Sequence, residues 1–203
     1  MRVAATCILA LVAIVAAANA SAQELGFGVK GGITLADLDA TGDQDTVPTG
    51  FRVGLVIGGF VTWPLAGRLE FQPEVLFTQK GSKSDVLGGT STQKLDYLDI
   101  PLLVSYRIKG SREQSFAVFG GPSIGVRLRA RSNAAFGAGS FEEDVSDQVK
   151  STDFAAVGGL AYHRGRLVFD GRYSWGLTDI DKETGDDIEI RNRGISFLAG
   201  WRF

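Results

Sequence analysis

Residues 51–63 read FRVGLVIGGFVTW, and along this stretch large apolar side chains alternate with side chains that are mostly small or polar. The first set is Phe51, Val53, Leu55, Ile57, Val61 and Trp63; the second is Arg52, Gly54, Val56, Gly58, Phe60 and Thr62. Successive side chains of a β-strand point to opposite faces, so this period of two predicts a strand with one apolar face. The stretch exceeds the roughly 9–11 residues that a tilted strand needs to cross a bilayer.

The same period recurs along the rest of the chain. Seven further stretches show it, beginning near Leu25, Leu69, Tyr97, Ser115, Asp153, Leu167 and Gly194. The turns between them are short near 64–67, 108–114 and 164–165, whereas longer polar connections lie near 36–49, 81–94, 132–152 and 178–192. Short turns at one end and long loops at the other are typical of outer-membrane barrels. We therefore predict an all-β fold, an eight-stranded antiparallel up-and-down transmembrane β-barrel.

The two faces of these strands differ in chemistry, and the difference predicts which of them meets lipid. Large apolar residues occupy one face of almost every strand, and an eight-stranded barrel is barely wide enough inside to hold its side chains. The apolar face should therefore point into the bilayer, with glycines and charges toward the axis. Because buried charges are costly without partners, a paired lumen network is expected. Its predicted members are Lys30, Arg52, Arg68, Glu70, Glu74, Asp99, Arg107, Arg127, Arg129, Asp153, Asp170 and Arg172.

This network has alternative roles. It could form an ion or proton path rather than a structural filling. Arg127, Arg129 and Arg131 approach the predicted outer mouth and could instead contact an anionic lipid headgroup or a ligand. Aromatic residues should mark the membrane interfaces, where rings sit between headgroups and tails. The predicted aromatic girdle consists of Trp63, Trp175, Trp201 and Phe203.

The N-terminal segment predicts secretion. Arg2 precedes an apolar run from Val3 to Ala18, and small residues follow as Ala18-Asn19-Ala20 and Ala20-Ser21-Ala22. This layout is that of a signal peptide, here residues 1–22, with cleavage after Ala22 or alternatively after Ala20. A membrane anchor would need a run of roughly 20 apolar residues. Residues 23–203 should then form the outer membrane barrel domain, without the sole cysteine, Cys7.

Other functional classes find little support. A formal net charge of −2 gives no reason to expect a nucleic-acid partner. The segment GFGVKG at 26–31 matches a dinucleotide-binding pattern but lacks the required preceding strand and following helix. The sequence starting at Asp37 resembles a calcium loop, yet Pro48 stands where the bidentate glutamate should be. The only histidine, His163, lies at a predicted periplasmic turn, so we predict no enzyme, cofactor or metal site.

Three motifs resemble a known family. Residues 28–35 (GVKGGITL), 71–81 (FQPEVLFTQKG) and 95–104 (LDYLDIPLLV) resemble the first, third and fourth strands of the PorT-like outer membrane β-barrel family. The terminal Phe203, after alternating apolar residues, looks like the signal read by the barrel-assembly machinery. The fold also resembles the small OmpA/OmpX-type barrels of the Gram-negative cell envelope. These resemblances imply a porin-like barrel, with membrane integrity or surface adhesion among the implied roles.

The sequence thus predicts a multi-pass protein of the bacterial outer membrane with both termini in the periplasm, because the strand count is even. We predict a structural or surface-interaction role carried by four long extracellular loops. A narrow porin-like transporter of small solutes or ions, and a barrel subunit of a secretion complex, remain alternatives. The predicted partners are outer membrane lipid, lipopolysaccharide and the assembly machinery, together with a possible envelope protein; the barrel itself is predicted to be monomeric.

Overall fold

The computed structural model describes residues 25–42, 50–86, 89–111, 114–136, 139–146, 149–180 and 188–203. The predicted signal peptide and both of its candidate cleavage sites lie outside these ranges. Within the described ranges, no helix has the length and apolar character needed to span a bilayer.

The described residues form ten strands. They are β1 (Gly26–Gly42), β2 (Gly50–Pro64), β3 (Leu69–Lys80), β4 (Ser82–Val86), β5 (Gly89–Gly110), β6 (Gln114–Phe136), β7 (Gly139–Asp144), β8 (Thr152–Arg164), β9 (Leu167–Gly176) and β10 (Ile188–Arg202).

Eight of these strands close into a ring. Each pairs antiparallel with the next, in the order β1, β2, β3, β5, β6, β8, β9, β10, and β10 pairs back onto β1. The short strands β4 and β7 lie at one end and extend this ring. The prediction of an eight-stranded antiparallel barrel is confirmed. We call the end with Gly26 and Arg202 the terminus side, and the opposite end the loop side.

The barrel wall turns its apolar face outward. Along β2, Val53, Leu55 and Ile57 are 64%, 59% and 62% exposed, whereas the intervening Val56 is buried. The same exposure pattern continues on other strands through Phe27, Leu160 and Phe197. A soluble barrel would bury such residues, so the outer surface is suited to lipid.

All four predicted long loops are wrong in part: β1 runs on to Gly42 inside 36–49, and β10 begins at Ile188 inside 178–192. Much of the polar region 81–94 forms β4 and the start of β5, and much of 132–152 forms the end of β6 and β7. Apolar alternation marks only the portion of a strand that faces lipid. Backbone pairing continues beyond it, because hydrogen bonds between main chains do not depend on apolar side chains.

The seam between β1 and β10 requires a glycine. A Cβ added to Gly32 would lie 1.9 Å from the carbonyl oxygen of Phe197, whereas a Cβ on neighbouring Gly31 would have its closest contact at 3.5 Å. We expect Gly32→Ala to destabilise the barrel by about 1–3 kcal/mol, since the strands must move apart. Gly31→Ala is the matched control and should lose its compact form at the same temperature as the parent protein. The temperature at which the compact form is lost on unboiled SDS gels measures the effect; equal temperatures for both variants would contradict it.

Candidate functional site

Four buried charges form a cluster across the lumen, which we call the central quartet: Lys30, Glu74, Asp170 and Arg172. The Lys30 Nζ atom lies 2.9 Å from Glu74 Oε1 and 2.8 Å from Asp170 Oδ2. Arg172 contacts the same two carboxylates, with Nη1 2.7 Å from Glu74 Oε2 and Nη2 2.7 Å from Asp170 Oδ2. Gln72 donates a further hydrogen bond of 2.7 Å to Glu74 Oε1.

The central quartet is balanced in charge and joins three strands, β1, β3 and β9. Two cations face two carboxylates, and all four side chains are almost fully buried. Two aromatic rings complete the surroundings: Lys30 Nζ lies 4.7 Å from the Phe60 ring centre, and the Arg172 guanidinium carbon lies 5.2 Å from that of Phe119. Such cation–π contacts offset part of the desolvation of buried cations. The cluster therefore blocks the lumen with paired charges.

A second charged group lies nearer the loop side. Lys80 Nζ is 3.0 Å from Asp99 Oδ1 and 3.7 Å from Asp153 Oδ2. Asn192 and Thr178 donate hydrogen bonds of 2.9 Å and 3.1 Å to the two oxygens of Asp153. The sequence did not point to Asn192 or Thr178, because they stand at the two ends of 178–192, the stretch predicted to be a long polar loop.

An apolar plug closes the lumen above this second group. Tyr97 lies at the base of the plug, with its ring 4.6 Å from Lys80 Nζ. Ile180, from the segment after β9, packs into the same cluster although it is outside any strand. The buried members are Leu38, Leu95, Tyr97, Ala130 and Ile180, with Val145, Val149 and Ile190 packed against them. Described residues of the loop side thus pack as an apolar cluster inside the barrel mouth.

The remaining predicted lumen charges lie toward the two mouths. Near the terminus side, Arg107 Nη2 is 2.5 Å from Glu70 Oε1. Near the loop side, Arg52 donates a hydrogen bond to the carbonyl oxygen of Lys80. Arg127 Nε donates one of 3.2 Å to the carbonyl oxygen of Lys150. Among the residues that the structure describes, the predicted network divides into separate groups: Lys30, Glu74, Asp170 and Arg172 come together, and Lys80 joins Asp99 and Asp153.

Two residues lie outside the predicted network. Arg129 was predicted to face the lumen, but it is exposed on the outer face. The cause is a β-bulge: Asp96 pairs with Arg129 and Tyr97 with Arg127, so Leu128 has no partner on β5 and the alternation reverses after it. Arg68 is exposed at the β2–β3 turn, where its Nη1 atom donates a hydrogen bond of 3.3 Å to the Ile108 carbonyl.

The four predicted girdle residues are all on the outside of the barrel. Trp63, Trp201 and Phe203 are 37%, 42% and 60% exposed at the terminus side, where the Phe203 ring stacks on Phe27 at 5.2 Å between centroids. Trp175 is exposed toward the loop side, opposite Arg193 of β10. Their role at the membrane interfaces remains a prediction.

Comparison with known proteins adds a family match. A family model described as "Outer membrane protein beta-barrel domain" matches residues 18–182, which is most of the chain. No protein of curated function matches the sequence.

Several solved barrels are similar to this chain at low identity. One of them is Ail, the attachment invasion locus protein of Yersinia pestis, solved in complex with the heparin analogue sucrose octasulfate. Its TM-score is 0.49 and its sequence identity is 17%, and the alignment covers 89% of this chain and 99% of Ail. Neisserial surface protein A has a TM-score of 0.46 and 12% identity, covering 87% and 97%. OprG from Pseudomonas aeruginosa has a TM-score of 0.44 and 13% identity, covering 89% and 97%.

Proposed function

We propose that this chain, which belongs to the outer membrane protein beta-barrel domain family, acts at the cell surface as an interaction barrel and not as a channel. The observation that carries this proposal is a sheet that projects from the loop side and ends in an unpaired edge. The lumen beneath it supports the same conclusion, since paired charges occupy its centre and an apolar plug occupies its loop-side end.

The projecting sheet is built from β4, the start of β5, the end of β6, and β7. Residues 83–86 pair with 89–92, and residues 89–96 pair with 129–136. Residues 131–136 then pair with 139–144, which is the whole of β7. Among the described residues, β7 pairs with β6 alone, so its other edge presents free backbone groups. An unpaired edge of this kind is a template for adding an extended segment of another protein.

The chemistry of β7 indicates what such a segment would be. Its sequence is GSFEED, so three of its side chains are carboxylates. Phe141 is 76% exposed, and its ring is free to pack on an apolar side chain. The side-chain hydroxyl and backbone N–H of Ser146 lower the pKa of Asp144, which keeps that carboxylate charged. We therefore propose that the partner segment is extended and basic, with alternating apolar residues.

The finer identity of the barrel belongs to the same proposal. We infer that residues 1–22 are a signal peptide and that 23–203 form the barrel domain. The loop side would then face outward and both termini the periplasm. The motifs at 28–35, 71–81 and 95–104 support a PorT-like, OmpA/OmpX-type barrel. Lipopolysaccharide, outer membrane lipid and the barrel-assembly machinery would be its partners, with no enzymatic activity.

Crosslinking on intact cells tests the surface role. A photoreactive amino acid replacing Phe141 should give a discrete protein adduct, and an added basic peptide with alternating valines should reduce it. An acidic peptide of the same length should not. The matched control places the same group at Phe169, which is exposed on the lipid-facing wall. Adducts of equal yield at both positions, or competition by both peptides alike, would remove the proposal.

Planar-bilayer recordings distinguish this role from transport. We expect no stable conductance steps, because the described residues place the central quartet and the apolar plug across the narrow lumen. A porin prepared in the same detergent serves as the positive control. Stable steps whose size changes in Arg172→Ala would overturn the prediction and favour a narrow channel through the lumen.

A further inference from the structure

The terminus side of the barrel opens into a cavity of about 720 Å³. It lies at the opposite end from the projecting sheet, so a ligand bound there is independent of the proposed surface role. Its volume falls in the range of about 300–1,000 Å³ that is usual for small-molecule sites. Polar side chains from β2, β5, β6 and β8 line it: Thr62, Ser105, Ser115 and His163.

Three of these polar residues expose little surface, and their side chains have no hydrogen-bond partner among the described residues. The exposed fractions of Ser115, Ser105 and His163 are 4%, 7% and 8%. Within the described residues, none of these three side chains has a hydrogen-bond partner, although each borders the cavity. Ser115 on β6 and His163 on β8 are directly opposite residues in the antiparallel register of these two strands. Their polar atoms open onto the cavity and are not sealed inside the protein, so this wall presents hydrogen-bonding groups to a bound molecule.

The charges around the cavity are predominantly positive. Among the described residues, three arginines line it, Arg68, Arg107 and Arg202, together with a single acidic side chain, Glu70. Arg107 already pairs with Glu70 at 2.5 Å, which leaves Arg68 and Arg202 in excess. The Arg68 side chain donates one hydrogen bond among the described residues, of 3.3 Å, to the main-chain carbonyl of Ile108. Guanidinium groups present several donors in a planar fork that matches carboxylate and phosphate oxygens.

We propose that this cavity binds a small solute that carries a carboxylate or phosphate group. The Arg68 and Arg202 guanidinium groups hold the anionic oxygens. The hydroxyls of Ser105 and Ser115 and a ring nitrogen of His163 supply further hydrogen bonds. Apolar lining from Pro64 and Ala117 packs on the carbon skeleton of the solute.

His163 provides a direct probe, because it is the only histidine in the chain. The protein is refolded in detergent micelles without a histidine tag, and its imidazole resonances are followed at constant pH. Inorganic phosphate and acetate are titrated separately, with sodium chloride at equal ionic strength as the blank. We expect a saturable shift with phosphate or acetate and none with chloride. The tighter of the two probes identifies the anionic group.

Two variants connect the shift to the cavity. Arg68→Gln should weaken binding about tenfold, as expected for loss of one charge-assisted hydrogen bond. The matched control is Arg164→Gln, since Arg164 is exposed beside His163 but does not line the cavity; it should change binding less than about twofold. Ser115→Ala, expected to weaken binding without altering charge, keeps the test valid if Arg68→Gln folds poorly. A shift that does not saturate, that chloride reproduces, or that Arg164→Gln reduces equally would overturn the proposal.

Discussion

Replacing Glu74 with alanine is expected to lower the free energy of unfolding by about 3–5 kcal/mol. The Glu74 carboxylate contacts both Lys30 and Arg172 inside the lumen, and its side chain is fully buried. Removing it leaves two buried cations to share Asp170, and burial prevents water from replacing the lost partner. Urea unfolding from lipid vesicles, followed by tryptophan fluorescence, measures the change.

Two comparisons separate this effect from a general loss of packing. Glu70→Ala breaks the Arg107 pair, whose side chains are 24% and 18% exposed, and should cost at most about 1 kcal/mol because water reaches both groups. The double variant Lys30→Met, Glu74→Leu removes one charge of each sign and leaves the Asp170–Arg172 pair. It should be more stable than Glu74→Ala alone. If Glu70→Ala and Glu74→Ala were equally destabilised, the central quartet would not be the stabilising element we describe.

Ile57→Arg is expected to cost about 2–4 kcal/mol when the barrel is folded in a bilayer. Ile57 lies near the middle of β2, is 62% exposed and pairs with Phe77 on the same outer face. In lipid, an arginine at that depth must be desolvated or must distort the bilayer to reach water. Unfolding in vesicles gives the free energy, and the same variant in detergent shows how much of the effect depends on the bilayer.

The matched control for Ile57→Arg is Phe141→Arg. Phe141 is even more exposed, at 76%, but it lies on β7 in the projecting sheet and not on the barrel wall. Its replacement should change stability by less than about 0.5 kcal/mol, the usual limit for an exposed substitution. Equal costs at the two positions would mean that the outer wall is not a lipid-facing surface.

Glu74→Ala and Ile57→Arg test the inner and the outer face of the same barrel wall. Glu74 faces inward on β3, and Ile57 faces outward on the neighbouring β2. A soluble barrel would reverse the expected effect at both positions, because its axis would be apolar and its exterior polar. The closed ring with exposed apolar residues and buried ion pairs is the arrangement of a membrane barrel, in agreement with the family match.

The barrel was predictable from the sequence because the alternation that marks a strand is a local pattern. A period of two needs only neighbouring residues, so strands such as β2 and β9 and the short turns between them were predictable. The same pattern does not predict a strand where the residues lie outside the lipid band, because their side chains there are polar. Hence β4, β7 and the extension of β6 were not foreseen, although they form the surface on which the proposed function depends.

The amino-acid sequence by itself determined the fold class, the outward apolar face and the identity of most lumen charges. Only the tertiary structure decided which charges meet: Lys30 contacts Glu74 and Asp170, which lie 44 and 140 positions away in the chain. It also decided that Arg129 faces outward, since one unmatched residue, Leu128, reverses the alternation after it. The physical reason is that the alternation of side chains along one strand follows from its local backbone geometry. Contacts between side chains across the lumen depend instead on how the strands close into a barrel and on their register.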